Sequence, residues 1–322
     1  MFDLCIVGGG IAGSLAAYQA VQQGLKVVLI DDGNGFSASR VAAGLLTPVI
    51  GKRWTVDRGL DWEAVMGGYR RLESEIGSSF LVTNPTVRYF QDDVDYSVYQ
   101  SRCKDPVVSP FFGGSVSENS FFHAPLGGIE LCSSSFVYVD RLFTGLMAYF
   151  QKKVTYIQDT FSHKDLEIRD RSIRWNKIEA KQLLFCEGAG VVDNPLFSSF
   201  SFDRTQSETF ILSIPDLDLD HAVSKKWWLC PTGESGLYKF GATQQWSNID
   251  GKPSQEGYDQ LLEAANALLK VPFTVMDHQC GVKVNLKSRT LLDITHPDYP
   301  HIRVLAGLGS RGYGMLLNLF RF

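Results

Sequence analysis

Residues 1–13, MFDLCIVGGGIAG, decide the fold. Leu4, Cys5, Ile6 and Val7 form a short apolar run, and Gly8, Gly10 and Gly13 follow in the spacing G-x-G-x-x-G. Such a run predicts a buried strand ending in a tight turn. Beyond it, Ile11, Leu15, Ala16, Tyr18 and Ala20 recur at helical intervals until Gly24, which suits a helix C-cap. KVVLIDD (26–32) then predicts a second buried strand, ending in Asp31 and Asp32. The unit reads strand, glycine turn, helix, strand, acid.

That order has a chemical meaning. A helix N-terminus offers unpaired backbone N–H groups and the positive end of the helix dipole, so it attracts phosphate. Gly8 permits the tight turn, Gly10 lets the backbone approach a pyrophosphate, and Gly13 lets helix pack on strand. Asp31, eighteen residues past Gly13, stands where a carboxylate accepts hydrogen bonds from a ribose, and it disfavours a 2′-phosphate. The N-terminal unit is therefore expected to bind a dinucleotide.

The 322 residues leave room for two domains. With 44% hydrophobic and 20% charged residues the composition is that of a globular protein, and no window approaches the ~20 apolar residues of a membrane span. The N-terminus lacks the leading basic region of a secretion signal, so a cytoplasmic location is expected. Six cysteines, Cys5, Cys103, Cys132, Cys186, Cys230 and Cys280, lie far apart without C-x-x-C pairs; this argues against zinc and against a disulfide framework. A formal charge of −4 without a long basic run disfavours direct RNA or DNA binding.

Along the chain, Gly, Ser and Pro gather at 33–51, and a helical pattern resumes around 61–76. Residues 81–139 are aromatic and β-leaning (VRYF, SPFFGG, SFFHAPLGG) with little helical period. A helix is expected at 141–153, then short strands in VTYIQDTF, LEIRD and SIRW, and a buried strand in AKQLLFCEGAG (180–190). Residues 206–280 return to β character, with one helix near 257–270. IRVLAGLGSRGYGMLLNLF repeats the opening grammar of strand, glycine turn and helix. The expected class is α/β: a discontinuous Rossmann-type nucleotide domain (1–80, 140–205 and 281–322) with an interleaved α+β antiparallel-sheet substrate domain (81–139 and 206–280).

Two segments bear on the choice between FAD and NAD. SRVAAGLLTP (39–48) offers Ala42, Ala43 and Gly44, small enough for backbone to pass along a flat isoalloxazine. GLGSRG (307–312) offers a second helix start whose dipole would face flavin N1 and O2, where negative charge gathers on reduction. The same segments also read as generic turns.

Taken in order, CIVGGGIAGSLAAYQAVQQGLKVVLID, SRVAAGLLTP, LLFCEGAG, FGAT, CGVKVNLKSRTLLD and VLAGLGSRGYG resemble the FAD-dependent oxidoreductases of the D-amino acid oxidase and glycine oxidase superfamily. That superfamily includes sarcosine oxidases and the oxidase domain of a tRNA wobble-uridine modifying enzyme. The resemblance implies FAD between the two domains. It assigns Gly8, Gly10, Ile11, Ala12 and Gly13 to the pyrophosphate, Asp31 to the ribose and Asp32 to the flank of the adenosine. Ser39, Arg40, Ala42, Ala43, Gly44 and Leu45 would line the flavin and Phe161 the adenine. Gly188, Gly190, Gly309, Ser310, Arg311, Gly312, Tyr313 and Gly314 would complete the shell. GLGSRGYG lacks the cysteine that sarcosine oxidases use for covalent attachment, so the FAD is expected to be noncovalent.

The implied reaction moves a hydride from an amine-bearing carbon of a small amine or amino acid to flavin N5, with O2 or another acceptor reoxidising the flavin. Where glycine oxidases carry the arginine of G-[LV]-R-P, this chain has GVKV, placing Lys283 as the candidate carboxylate clamp. Lysine is a point charge rather than a bidentate fork. Lys283 also reads as a solvated strand residue. Trp228 stands where the family has a substrate-facing tyrosine, and also reads as a core aromatic. Arg53 and Arg311 are further candidate cations. The family's last helix normally continues through an Ala-Pro step, whereas here MLLNLFRF closes the chain. Two alternatives remain at this level: a tRNA wobble-uridine oxidase acting on a carboxymethylaminomethyl-type group, and a flavin-binding protein without turnover. The six histidines form no recognisable pair.

Overall fold

A computed structural model describes residues 1–33, 37–56, 60–288 and 291–315. The opening run is strand β1 (Phe2–Val7), followed by helix α1 (Ile11–Gln22) and strand β2 (Val27–Asp31). Parallel pairing orders Thr155–Gln158, β2, β1, Ile178–Phe185 and Ile302–Ala306 side by side, so the chain's two ends meet around one strand. Antiparallel strands Ser172–Trp175, Leu166–Arg169 and Leu292–Thr295 complete this eight-stranded sheet.

Alternation along β1 explains why both faces are covered. Leu4 and Ile6 join a core with Leu15 of α1, Tyr69 and Leu72 of helix Trp62–Ile76, and Leu142, Leu146 and Phe150 of helix Val139–Lys153. Cys5 and Val7 point the other way, into a core with Ile173, Trp175, Phe185 and Phe197. A strand buried on both sides reads as a continuous apolar run, as parallel sheets require.

A second eight-stranded sheet runs Thr274–Leu286, Phe202–Ser213, Leu237–Gly241, Trp228–Pro231, Val223–Ser224, Thr86–Tyr89, Gly128–Leu131 and Phe112–Val116. Helix Gln255–Leu268 covers one of its faces through Leu261, Ala265 and Leu268 against Phe210, Leu212 and Phe240. Its two longest strands, Phe202–Ser213 and Thr274–Leu286, pass without a break through positions 205/206 and 280/281.

One helix was not expected within the aromatic middle: Asp93–Arg102. Asp95 is its buried residue, and its apolar contribution to the core is confined to half-buried Val98 and Tyr99, too short a pattern for a periodicity to reveal. Polar contacts add to the packing of Tyr99 on Trp54, Phe90 and Phe112. Asp92 caps the helix, accepting from Asp95 N at 2.8 Å, and Asp95 accepts from Trp54 Nε1 at 2.7 Å and from the Arg88 guanidinium at 3.3 Å. The Arg88 guanidinium lies 3.6 Å from the centre of the Trp54 ring, pinning the 51–54 turn to this helix.

Candidate active site

The turn after β1 is built by exclusion of side chains. Gly8 has φ +100°, and a Cβ there would collide with the Cys186 carbonyl; one at Gly13 would collide with the Gly8 carbonyl. Helix and strand thus touch backbone to backbone. Helix α1 starts from Gly10 without a side-chain cap from that residue and without acid in its first turn, which leaves the positive end of its dipole uncompensated by charge from its own first turn.

Asp31 curls back over this turn. Its Oδ2 accepts from Gly9 N at 2.5 Å and its Oδ1 from Gly33 N at 3.0 Å. A Cβ on Gly9 would lie 2.8 Å from Asp31 Cγ. The motif spacing treats Gly9 as a free position; its requirement for glycine comes from an acid 22 residues away.

Residues 38–45 close a second side. Helix Ala38–Val41 is held by three bonds: Ile11 N donates to Ser39 Oγ at 3.0 Å, Tyr313 OH to the Ser39 carbonyl at 2.7 Å, and Lys239 Nζ to the Arg40 carbonyl at 2.7 Å. Tyr313 is itself fixed by Tyr69 OH, which donates to its carbonyl at 2.7 Å. Lys239 is 5% exposed, and burial pushes its ammonium below the ordinary lysine range despite Asp140 3.7 Å away. Neither Tyr313 OH nor Lys239 was read from sequence as a support of this loop, because the partners lie 274 and 199 positions apart.

The late glycine turn packs directly on the first unit. A Cβ on Gly312 would stand 3.3 Å from Ile11 Cγ2, and one on Gly309 would meet Asn285 Oδ1. The helix it opens is described for Gly312–Met315; MLLNLFRF after Gly314 falls almost entirely outside the described residues.

These segments surround one cavity of about 910 Å³, within the size range of cofactor and ligand pockets. Of the positions expected to bind cofactor, all line it except Gly13, which is taken up by packing on Gly8. Phe161 reaches it with its ring stacked on Trp175, at 5.1 Å and 18° between planes. Beside Gly188 and Gly190, Glu187 also lines it; its carboxylate accepts from Asn194 Nδ2 at 2.7 Å and lies 2.9 Å from His163 Nε2.

The opposite wall is the second sheet. Lys283 pairs with Thr205, and Gly281 with Ser207, so these four project from the same face. Gly281 admits close contact, since a Cβ would lie 2.8 Å from Ala38 Cα. Lys283 lines the cavity, its Nζ 3.3 Å from Ser310 Oγ, and burial pushes its ammonium below the ordinary lysine range. Trp228 lines it too, with its ring edge beside Gly241. Arg311 joins them from the late turn. Arg53 does not: it sits exposed on the 51–54 turn, where its carbonyl accepts from Arg102 Nε at 3.0 Å. Adjacency to the 39–48 loop suggested that Arg53 would reach the site, but the clamp on Trp54 turns the chain outward.

The site and fold define a class. The chain belongs to the FAD dependent oxidoreductase family, whose model matches residues 3–317. Among solved structures it is similar to glycine oxidase from Geobacillus kaustophilus (18% identity, TM-score 0.77, covering 98% of this chain and 93% of that one). It is also similar to iminodiacetate oxidase from Chelativorans sp. BNC1 (17%, 0.78, 97% and 91%) and to FAD-bound L-α-glycerophosphate oxidase from Mycoplasma pneumoniae (14%, 0.74, 97% and 91%). At such identities the likeness is one of fold.

FAD is the cofactor of this family, and the residues present fit it. The glycine cradle brings backbone to the cavity at the start of α1, where Gly10 gives no side-chain cap and Ile11 N meets a neutral Ser39 hydroxyl, the Asp31 carboxylate retains acceptor capacity beyond its bonds from Gly9, Gly33 and Tyr156, and the cavity runs on past the 38–45 loop to the late turn. Among the described residues no helix is long and apolar enough to cross a membrane.

Proposed function

We propose that this chain oxidises the C–N bond of a small amino acid or secondary amine by hydride transfer to noncovalently bound FAD. One observation carries the reading: the glycine turns from both ends of the chain and the second sheet's Lys283 and Trp228 open onto the same cavity. In this reading residues 1–80, 140–205 and 281–322 serve the cofactor, and 81–139 and 206–280 shape the substrate side. Two fold neighbours named for glycine and iminodiacetate lend support, since both are small amines bearing carboxylate.

The turn from Gly8 to Gly13 would hold the pyrophosphate through Gly10, Ile11 and Ala12 backbone, and Asp31 the ribose, with Asp32 and Phe161 beside the adenosine. Residues 39–45 and 309–314 would border the flavin, with Gly188 and Gly190 behind. Bound FAD supplies a two-electron acceptor. The protein's own contribution is placement: Arg311 presents positive charge and Lys283 its amino group to a substrate carboxylate, and the Trp228 ring limits the space above the reacting carbon. Covalent attachment is disfavoured because the two thiols along the cavity are buried; burial pushes Cys280 up to about 12 and Cys186 higher still, so neither supplies a thiolate.

The test is anaerobic. FAD-loaded protein is mixed in turn with glycine, sarcosine, iminodiacetate and proline, and oxidised-flavin absorbance is followed. Bleaching by at least one amine is expected, and acid precipitation should leave the flavin in the supernatant. Protein that refuses added FAD, or holds it without bleaching by any of the four, refutes the proposal.

A further inference from the structure

Lys283 has an unusual setting for a lysine. It projects from the strand Thr274–Leu286 into the cavity, and among the described residues its polar contact is the neutral Ser310 hydroxyl at 3.3 Å. Directly across on the neighbouring strand stands Thr205, with Ser207 one step on, and neither carries charge. Arg311 follows Ser310 in the late turn. Among the described residues the other charged groups around the cavity are Arg40 and Lys226 on the cationic side and Asp31, Asp32, Asp159 and Glu187 on the anionic side. None of these forms an ion pair with Lys283 among the described residues, and burial alone accounts for the lowered affinity of its Nζ for a proton.

We propose that Lys283 is a catalytic base: its neutral Nζ takes the proton from the substrate ammonium and then, as ammonium, holds the substrate carboxylate. The inference rests on the amine-oxidation reading above and adds to it a role that an arginine at this position lacks, since guanidinium stays protonated throughout. A zwitterionic amino acid brings a proton that must leave before its C–H bond can give up a hydride. The N–H bond of the substrate breaks and the proton passes to the Nζ lone pair, leaving a neutral amine beside a newly charged lysine. The C–H bond then breaks with both electrons going to bound FAD as oxidant, while the nitrogen lone pair forms the C=N bond. Water hydrolyses the imine, and Lys283 returns its proton to solvent. A lysine set in the cavity wall beside a neutral hydroxyl, with no carboxylate of the described residues paired to it, suits this task because the resting site does little to hold its charged form and an incoming ammonium can pass its proton to Nζ. Ser310, whose hydroxyl accepts from the ammonium and can donate to the neutral amine, is the resting partner.

Two measurements on the FAD-loaded full chain test this. Competitive acetylation by acetic anhydride across pH, read peptide by peptide, gives the titration midpoint of Lys283 against exposed Lys152 and Lys153. A midpoint below that of both exposed lysines is expected; an equal or higher midpoint overturns the proposal. Separately, flavin reduction by sarcosine and by glycine is followed against pH in the wild type and in Lys283→Arg. The wild-type efficiency should level off well below the amine's own pKa. Lys283→Arg, which keeps the charge, should instead fall about tenfold per pH unit below the amine's pKa. Identical profiles overturn the base role while leaving amine oxidation standing. A lowered midpoint without reduction by either amine removes the base role, and extending the panel to iminodiacetate and proline then decides whether amine oxidation falls with it.

Discussion

Replacing Asp31 by Asn tests whether the acid after β2 organises the glycine turn. The substitution keeps shape and volume. In the wild type each carboxylate oxygen accepts from a different backbone amide, Oδ2 from Gly9 at 2.5 Å and Oδ1 from Gly33 at 3.0 Å. Asparagine has a single acceptor oxygen, so in either orientation its NH2 group must face one of these N–H donors. Losing one charge-assisted bond and setting donor against donor costs about 1.5–3 kcal/mol. With unfolding entropy of about 2.1 cal/mol/K per residue over 322 residues, that corresponds to a Tm drop of about 2–4 °C in the FAD-free protein. A carboxylate serving the ribose adds to this in the holoprotein, so FAD affinity by quenching of flavin fluorescence should fall by roughly tenfold or more. An Asp31→Asn protein that melts with the wild type and binds FAD equally well would refute the reasoning about both the turn and the ribose.

Tyr313→Phe removes the hydroxyl that holds the Ser39 carbonyl at 2.7 Å and should weaken FAD binding by about 1–2 kcal/mol, roughly 5–30-fold, by fluorescence titration. Lys239 binds protons less readily folded than unfolded, so its contribution to stability rises with pH through the window below 10.5. The stability difference between wild type and Lys239→Met, from urea melts at several pH values, should therefore shift in favour of the wild type as pH rises through that window; a pH-independent difference would count against the buried ammonium. Arg53→Ala should change stability by less than about 0.5 kcal/mol and leave FAD affinity and amine-driven bleaching at wild-type levels.

Local pattern carried much of the reading. β1, the glycine turn, α1, β2 and the closing acid lie within 31 residues, and each signal is a pattern readable in a short window of the chain. Helix Trp62–Ile76 was legible because Val65, Tyr69 and Leu72 form an apolar stripe, while Asp93–Arg102 was not, because its buried position is Asp95, held by Trp54 and Arg88, and only Val98 and Tyr99 add apolar contact. The same divide runs through the site. Gly8, Gly10 and Gly13 announce themselves by spacing, whereas Gly281 is glycine because Ala38 comes within 2.8 Å of where its Cβ would be, a fact of strand against helix across two sheets.

By itself the sequence determined the nucleotide-binding grammar, the order of the pieces and the residue types available for chemistry, since period and turn chemistry are written in short windows. Tertiary structure alone decided which of those residues meet. It sent Arg53 outward, brought Lys239 and Tyr313 under the 38–41 helix, and left Lys283 beside a hydroxyl rather than a carboxylate. The physical reason is that burial and partner choice depend on what arrives from hundreds of positions away, and desolvation, unlike periodicity, has no local signature.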